Sequence, residues 1–267
     1  MLGLALAAEG ETPAPRTPFA IERLGPSCTS GLRPLVLDLS SLWAGPLAGS
    51  LLAMTGARVV KVESLRRPDG ARLGSPEFYR LLNGMKQVVE LDFATAEGLD
   101  RLRSLVAEAD IVIEGSRPRA LAQLGIDARA VAAAGATWVS LTADGRESEA
   151  GNRIGFGDDA AVAAGLSAAM RAGWGEPMFG GDAIADPLTG IPAALAAFAT
   201  WRAGGGALVG VSLAGTVAHA PTLPQARGIE LREWQAIAEA DTDRFYAMRE
   251  PERLSGTECQ HAAFAVR

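Results

Sequence analysis

The chain has 267 residues, 48% of them hydrophobic, and its 25 Lys and Arg against 31 Asp and Glu give a formal net charge of −6. That is enough length for one large domain or two small ones with a real core, and the acidic balance argues against a nucleic-acid partner. Cys28 and Cys259 are too few and too far apart to suggest a disulfide framework or a zinc site, and His219 and His261 lie outside the patterned part of the chain, so neither a Ser-His-Asp hydrolase nor a metal centre is expected.

Residues 1–33 carry Pro, Gly and Thr without periodicity and read as an extension. The apolar run 2–8 has no basic segment before it and is short for a leader, and Ala-rich stretches such as 191–201 are too short to span a bilayer. The expectation is a cytoplasmic protein with no membrane partner. Residues 35–39 form a nearly continuous apolar run, the mark of a strand buried on both faces. Gly45-Pro46 then opens a helix, Leu47, Leu51, Leu52 and Met54 supply its apolar stripe, and Gly56 fits the position after the helix that needs a positive φ. A second strand follows at 58–62, making a right-handed βαβ unit.

The alternation continues. Residues 88–93 read as a strand, and Thr95 caps a helix with Leu99, Leu102, Val106 and Ala109 on one face. A short strand spans 110–114, a brief helix runs from Pro118 to Gly125, Asp127 starts another, and 137–142 is a further strand. After a polar loop at 143–153, helices are predicted near 158–171 and 187–202, and Gly204-Gly205-Gly206 turns the chain into a strand at 207–213. From Pro221 the pattern weakens, although 231–239 has helical character. The predicted fold is therefore α/β, a mainly parallel sheet flanked by helices, over residues 34–220, with a C-terminal tail at 221–267.

Charge is uneven. Between residues 58 and 86 stand seven cations (Arg58, Lys61, Arg66, Arg67, Arg72, Arg80 and Lys86) against Glu63, Asp69 and Glu77. Such an excess can receive a polyanion, or it can simply solvate a loop. The turn Trp43-Ala44-Gly45-Pro46 either offers backbone N–H groups to an anion or needs Gly and Pro only for its geometry. Arg117 and Arg119 flank a helix start and either reach a phosphate or face water. Asp186-Pro187 has the form of a helix N-cap, although a carboxylate held at a helix N-terminus also stays ionised, as a nucleophile must. Gly155-Phe156-Gly157-Asp158-Asp159-Ala160 matches a dinucleotide-binding pattern, but no strand leads into it.

Several ordered phrases, taken together, resemble the class III coenzyme A transferases, the family that includes formyl-CoA transferase, carnitine CoA-transferase and α-methylacyl-CoA racemase. They are Leu35–Asp38 running into Ser40-Ser41-Leu42-Trp43-Ala44-Gly45-Pro46, the segment 56–63, Asp110-Ile111-Val112-Ile113-Glu114-Gly115-Ser116-Arg117-Pro118, and Ile184-Ala185-Asp186-Pro187-Leu188-Thr189-Gly190. The resemblance covers roughly residues 34–215 and implies a Rossmann-like domain. It implies coenzyme A as co-substrate, no metal, and transfer between an acyl-CoA and a carboxylic acid acceptor. Asp186 would be the nucleophile, forming a mixed anhydride and then an aspartyl thioester. Leu42, Trp43, Ala44, Arg66, Arg67, Arg72, Lys86, Leu91, Gly115, Ser116 and Arg117 would contact the cofactor. Three departures are visible. Trp43 replaces a smaller or polar residue, Gly115-Ser116 replaces an amide and an aromatic, and Phe156 stands where racemases carry a catalytic histidine. The resemblance also implies that most of the family's small second domain is missing here, and that the chain works as a homodimer or with a partner subunit.

Overall fold

The computed structural model describes residues 18–26, 31–147, 151–176 and 182–223, together with 232–233, 236 and 252–253. Its sheet begins with β1 (Phe19–Arg23), β2 (Leu35–Asp38), β3 (Arg58–Ser64), β4 (Gln87–Leu91) and β5 (Ile111–Glu114). It is completed by β6 (Thr137–Thr142), β7 (Ala207–Ser212) and a two-residue edge, β8 (Glu252–Arg253). Their order is β1-β7-β6-β5-β2-β3-β4-β8. β1 runs antiparallel to β7, and every other pairing is parallel.

Strand periodicity divides the core in two. Val36, Val59, Ile111, Ile113, Val139 and Val209 point to one face, packed by α1 (Ala44–Met54), α6 (Gly157–Ala163), α8 (Ala185–Arg202) and α9 (Leu213–His219). Leu37, Val60, Val112, Trp138 and Leu208 point to the other, packed by α3 (Ala96–Glu108), α4 (Pro118–Gln123) and α5 (Ala128–Ala133). Neighbours in the chain thus serve opposite layers, which is why the strands read as nearly continuous apolar runs. The parallel strands run β7-β6-β5 on one side and β2-β3-β4 on the other. The winding reverses between β2 and β5, where an open α/β sheet leaves a crevice at its carboxyl edge.

The α/β expectation holds, with local corrections. Residues 19–23 are an edge strand, not plain extension. Thr95 and Asp127 cap their helices as expected, and Gly56 takes φ 93°. The helix expected at 158–171 is broken at Gly165, whose φ of 89° ends α6 and starts α7 (Leu166–Trp174). α2 (Pro76–Asn83) and α9 had no counterpart in the sequence reading. The helical character at 231–239 lies largely outside the described residues.

The buried face of α1 also differs from expectation. Met54 is 65% exposed, and the helix packs on its small residues Ala44, Gly45, Ala48, Gly49 and Ala53 with Leu52. α8 opposes it with Gly190, Ala193, Ala194 and Ala197. The approach is so close that a methyl group on Gly190 would sit 2.7 Å from the Ala44 carbonyl oxygen. Small residues on both helices let their axes come nearer than leucine-sized side chains would. That closeness brings Asp186 to the start of α1.

Candidate active site

Asp186 is the second residue of α8, whose N-cap is Ile184. The expected capping of its own helix is therefore not what the side chain does. Its Oδ1 accepts the N–H of Ala44, the first residue of α1, at 3.2 Å. The Gly157 N–H, at the start of α6, also favours its charged form. A methyl group on Gly157 would run into the Asp186 carboxylate and the Ala183 carbonyl, so this approach needs glycine. The first turns of α1, α6 and α8 therefore converge on one carboxylate.

Burial pushes the Asp186 carboxyl up to about 6, with the Asp158 carboxylate adding to the rise and the Ala44 and Gly157 N–H groups opposing it. At neutral pH roughly nine-tenths of it is ionised. A carboxylate both charged and more basic than usual suits covalent attack on a carbonyl.

The other expected residues fall into groups. Leu42, Trp43 and Ala44 form the β2–α1 turn, and Gly115, Ser116 and Arg117 form the β5–α4 turn. These turns meet across the crevice, where a methyl group on Gly115 would lie 3.1 Å from Ser40 Cβ. Asp186 and both turns thus occupy one place. Trp43 packs on Phe78 of α2, ring centroids 4.7 Å apart. Ser116 donates to Glu114 Oε1 at 3.1 Å; Glu114 Oε2 also accepts from Trp138 Nε1 at 2.9 Å and Arg146 at 2.8 Å.

The basic segment is mostly neutralised from within. Arg72 grips Glu63 with two bonds of 2.9 Å and lies over the Tyr79 ring. Arg66 pairs with Asp92 at 2.9 Å, and Arg80 with Glu77 at 3.2 Å. Arg67 is exposed, and the half-buried Leu91 accepts a bond from the Leu65 N–H. Lys86 corrects the expectation outright. Its side chain is fully buried, and its ammonium donates to Asp38 at 2.8 Å, Pro46 O at 2.7 Å and Asn83 at 3.0 Å. A cation so enclosed serves the fold and does not reach a ligand in the crevice. Burial pulls Lys86 down to about 8. Asp38 is held at about 2, because Lys86 and Lys61 outweigh the burial that would raise it.

Sequence reasoning did not find Gly157 as the glycine against Asp186, nor Phe78, nor Asp69 and Lys61 beneath the first turn. The signals available were the Gly155–Ala160 phrase, which matched a dinucleotide pattern without its strand, and the charged segment 58–86, which holds Lys61 and Asp69 but suggested a phosphate site. In the structure α6 starts at Gly157 and no strand leads directly into it, as the sequence reading required.

The family model described as CoA-transferase family III matches residues 30–235. The chain belongs to CoA-transferase family III. It is 32% identical over 177 residues to succinate–glutarate CoA-transferase of Agrobacterium fabrum, covering 61% of this chain and 44% of that protein. It is 29% identical over 175 residues to formyl-CoA:oxalate CoA-transferase of Escherichia coli, covering 58% and 40%. Among solved structures it resembles a hypothetical protein of Mycobacterium tuberculosis, with TM-score 0.64 and 26% identity over 81% of this chain and 61% of that one. A CaiB/BaiF family protein of Brucella suis shares the fold, with TM-score 0.58, 24% identity, and 86% and 61% coverage. This family III chain thus spans less than half the length of these curated relatives. Among its described residues, no helix is long and apolar enough to cross a membrane.

Proposed function

We propose that this chain transfers coenzyme A between an acyl-CoA and a carboxylic acid, with Asp186 as the covalent nucleophile. The observation that carries this reading is the Asp186 carboxylate, bonded to the Ala44 N–H at the carboxyl edge of the sheet where the winding reverses. The ionised carboxylate attacks the thioester carbonyl, and the C–S bond breaks to give an aspartyl–acyl anhydride and CoA thiolate. The thiolate attacks the aspartyl carbonyl, releasing the first acid as carboxylate and leaving an aspartyl–CoA thioester. The acceptor carboxylate attacks that thioester and frees the thiolate, which then takes the new acyl group and restores Asp186. The chain's own contribution is to hold one basic carboxylate, partly shielded from water, against N–H donors. With Phe156 in place of a histidine, α-proton exchange with solvent is not expected.

Coenzyme A would lie across the crevice, its pantetheine along Leu42–Ala44 and Gly115–Ser116, with Arg117 and Arg67 as the cations open to its phosphates. Binding should raise the melting temperature by mass action, less so at high salt. Arg117→Glu should weaken binding about tenfold by calorimetry at low salt. No heat of CoA binding to the parent chain at low salt would refute the crevice as its site.

We also propose that the chain is not monomeric. Ile191 and Leu195, one turn apart on α8, are 58% and 69% exposed, and Met54 of α1 is exposed as well. An apolar ridge of this kind normally marks a contact. Light scattering should show a dimer, or a complex once a partner subunit is supplied; a monodisperse monomer under both conditions would contradict this. Transfer activity of the chain alone separates a self-sufficient enzyme from a CoA binder that needs a partner.

A further inference from the structure

We propose that Asp69, held by Lys61, is a positioning residue for Asp186: it fixes Leu42 in a left-handed conformation that turns the Ala44 N–H onto the carboxylate. The inference rests on the reading of Asp186 given above. Leu42 has φ 67°, a region leucine occupies only where its surroundings enforce it. Here they do. Asp69 Oδ1 accepts the Leu42 N–H at 2.9 Å and the Ala71 N–H at 3.0 Å. Its Oδ2 lies 2.8 Å from the Lys61 ammonium, both side chains fully buried. Lys61 also donates to the Ser40 carbonyl at 2.8 Å, and Asp38 accepts both the N–H and the hydroxyl of Ser40. Asp69 is itself anchored, its N–H bonded to Glu63 at 2.9 Å.

Buried charges thus grip the β2–α1 turn at Ser40 and at Leu42, two residues before the donor to Asp186. Gly70 closes on the Leu42 side chain, where a methyl group would stand 3.3 Å from Cδ2. A charge pair that served stability alone has no need to hold a leucine at positive φ. None of these side chains bonds to Asp186; they act through the backbone of the turn. Asp69 and Lys61 lie in the stretch whose cations suggested a phosphate site, so part of that charge serves the turn.

The test reads Asp186 itself, by carbon-13 NMR titration of its carboxyl in the unliganded protein. The Ala44 and Gly157 N–H groups favour its charged form, while burial and the Asp158 carboxylate oppose it. Asp69→Ala should raise its pKa by about half a pH unit or more. It should also lower kcat about tenfold or more, with KM for acyl-CoA within about threefold. Asp69→Asn keeps an oxygen for the Leu42 N–H and should recover most of both effects. Leu42→Val, β-branched and unable to settle at positive φ, should reproduce the pKa rise without touching the ion pair. It decides the matter if Asp69→Ala does not fold. The proposal is overturned if Leu42→Val titrates Asp186 at the parent value, or if a folded Asp69→Ala does, or if Asp69→Asn restores nothing. A parent protein that transfers no CoA would defeat the functional reading but leave the titration arm standing.

Discussion

Asp186→Asn should lower CoA transfer by at least about a thousandfold, since loss of a covalent nucleophile leaves only binding and orientation. The same variant should melt higher than the parent at neutral pH. Burial raises the Asp186 carboxyl from 3.8 to about 6 on folding, so the folded chain holds that proton more tightly than the unfolded chain. The stability from this preference is complete below pH 3.8 and is lost as pH rises through 6, a swing of about 3 kcal/mol. Asparagine keeps the shape and an acceptor for the Ala44 N–H but never ionises. Calorimetry should therefore show the variant ahead by several degrees at pH 7 and level with the parent below pH 4. Initial rates of the parent should fall with unit slope below about pH 6, because the protonated carboxyl cannot attack. A variant no more stable than the parent at pH 7 would mean that the ionised carboxylate is not strained by its site.

The second large effect is structural. Lys86→Met should destabilise the fold by about 3–5 kcal/mol, because it leaves the buried Asp38 carboxylate without its nearest counter-charge. Lys61 and the Ser40 hydroxyl remain, but the 2.8 Å ammonium contact does not. Asp38 is held near 2 against the burial that would raise it. Its depressed value contributes about 2 kcal/mol that is present above pH 3.8 and lost as pH falls through 2. The deficit of the variant should consequently be largest near neutral pH and narrow as pH falls through 2, where the parent loses the same contribution. Arg66→Ala is the control, since Arg66 is largely exposed and water and salt screen its pair with Asp92. Urea unfolding of the three proteins separates these outcomes. Equal losses for Lys86→Met and Arg66→Ala would contradict the buried-pair assignment.

Much of the fold was legible because strands buried on both faces are largely apolar, and 35–39, 110–114 and 137–142 carry such runs, interrupted only by a few polar residues such as Asp38 and Ser140. Helix starts were legible where a side chain closes the first turn, as Thr95 and Asp127 do. The edge strand at Phe19–Arg23 was not, because a strand with exposed Phe19 and Ile21 shows no buried pattern. The single stretch expected at 158–171 hid a break, since a glycine in a helical pattern reads as tolerated until its φ is known.

The candidate site was half legible. The resemblance pointed to Asp186 and to both turns of the crevice, and the fold brings all three together. Lys86 was expected at the cofactor from the resemblance, and neither a matching phrase nor a count of cations along a segment reveals that Asp38, 48 positions away, faces its ammonium. Asp186 was misread as a cap of its own helix for a related reason. The donor it meets belongs to α1, and only the small-residue packing of α1 against α8 brings that donor within reach.

Intact-mass analysis after mixing with a panel of acyl-CoAs tests the assignment of Asp186 most directly. The parent protein, with its partner subunit if one is required, should gain the mass of a CoA or acyl adduct that hydroxylamine removes. Peptide mapping should place it on Asp186, and Asp186→Asn should show none. Undiminished transfer by Asp186→Asn, or an adduct mapped to another residue, would contradict it.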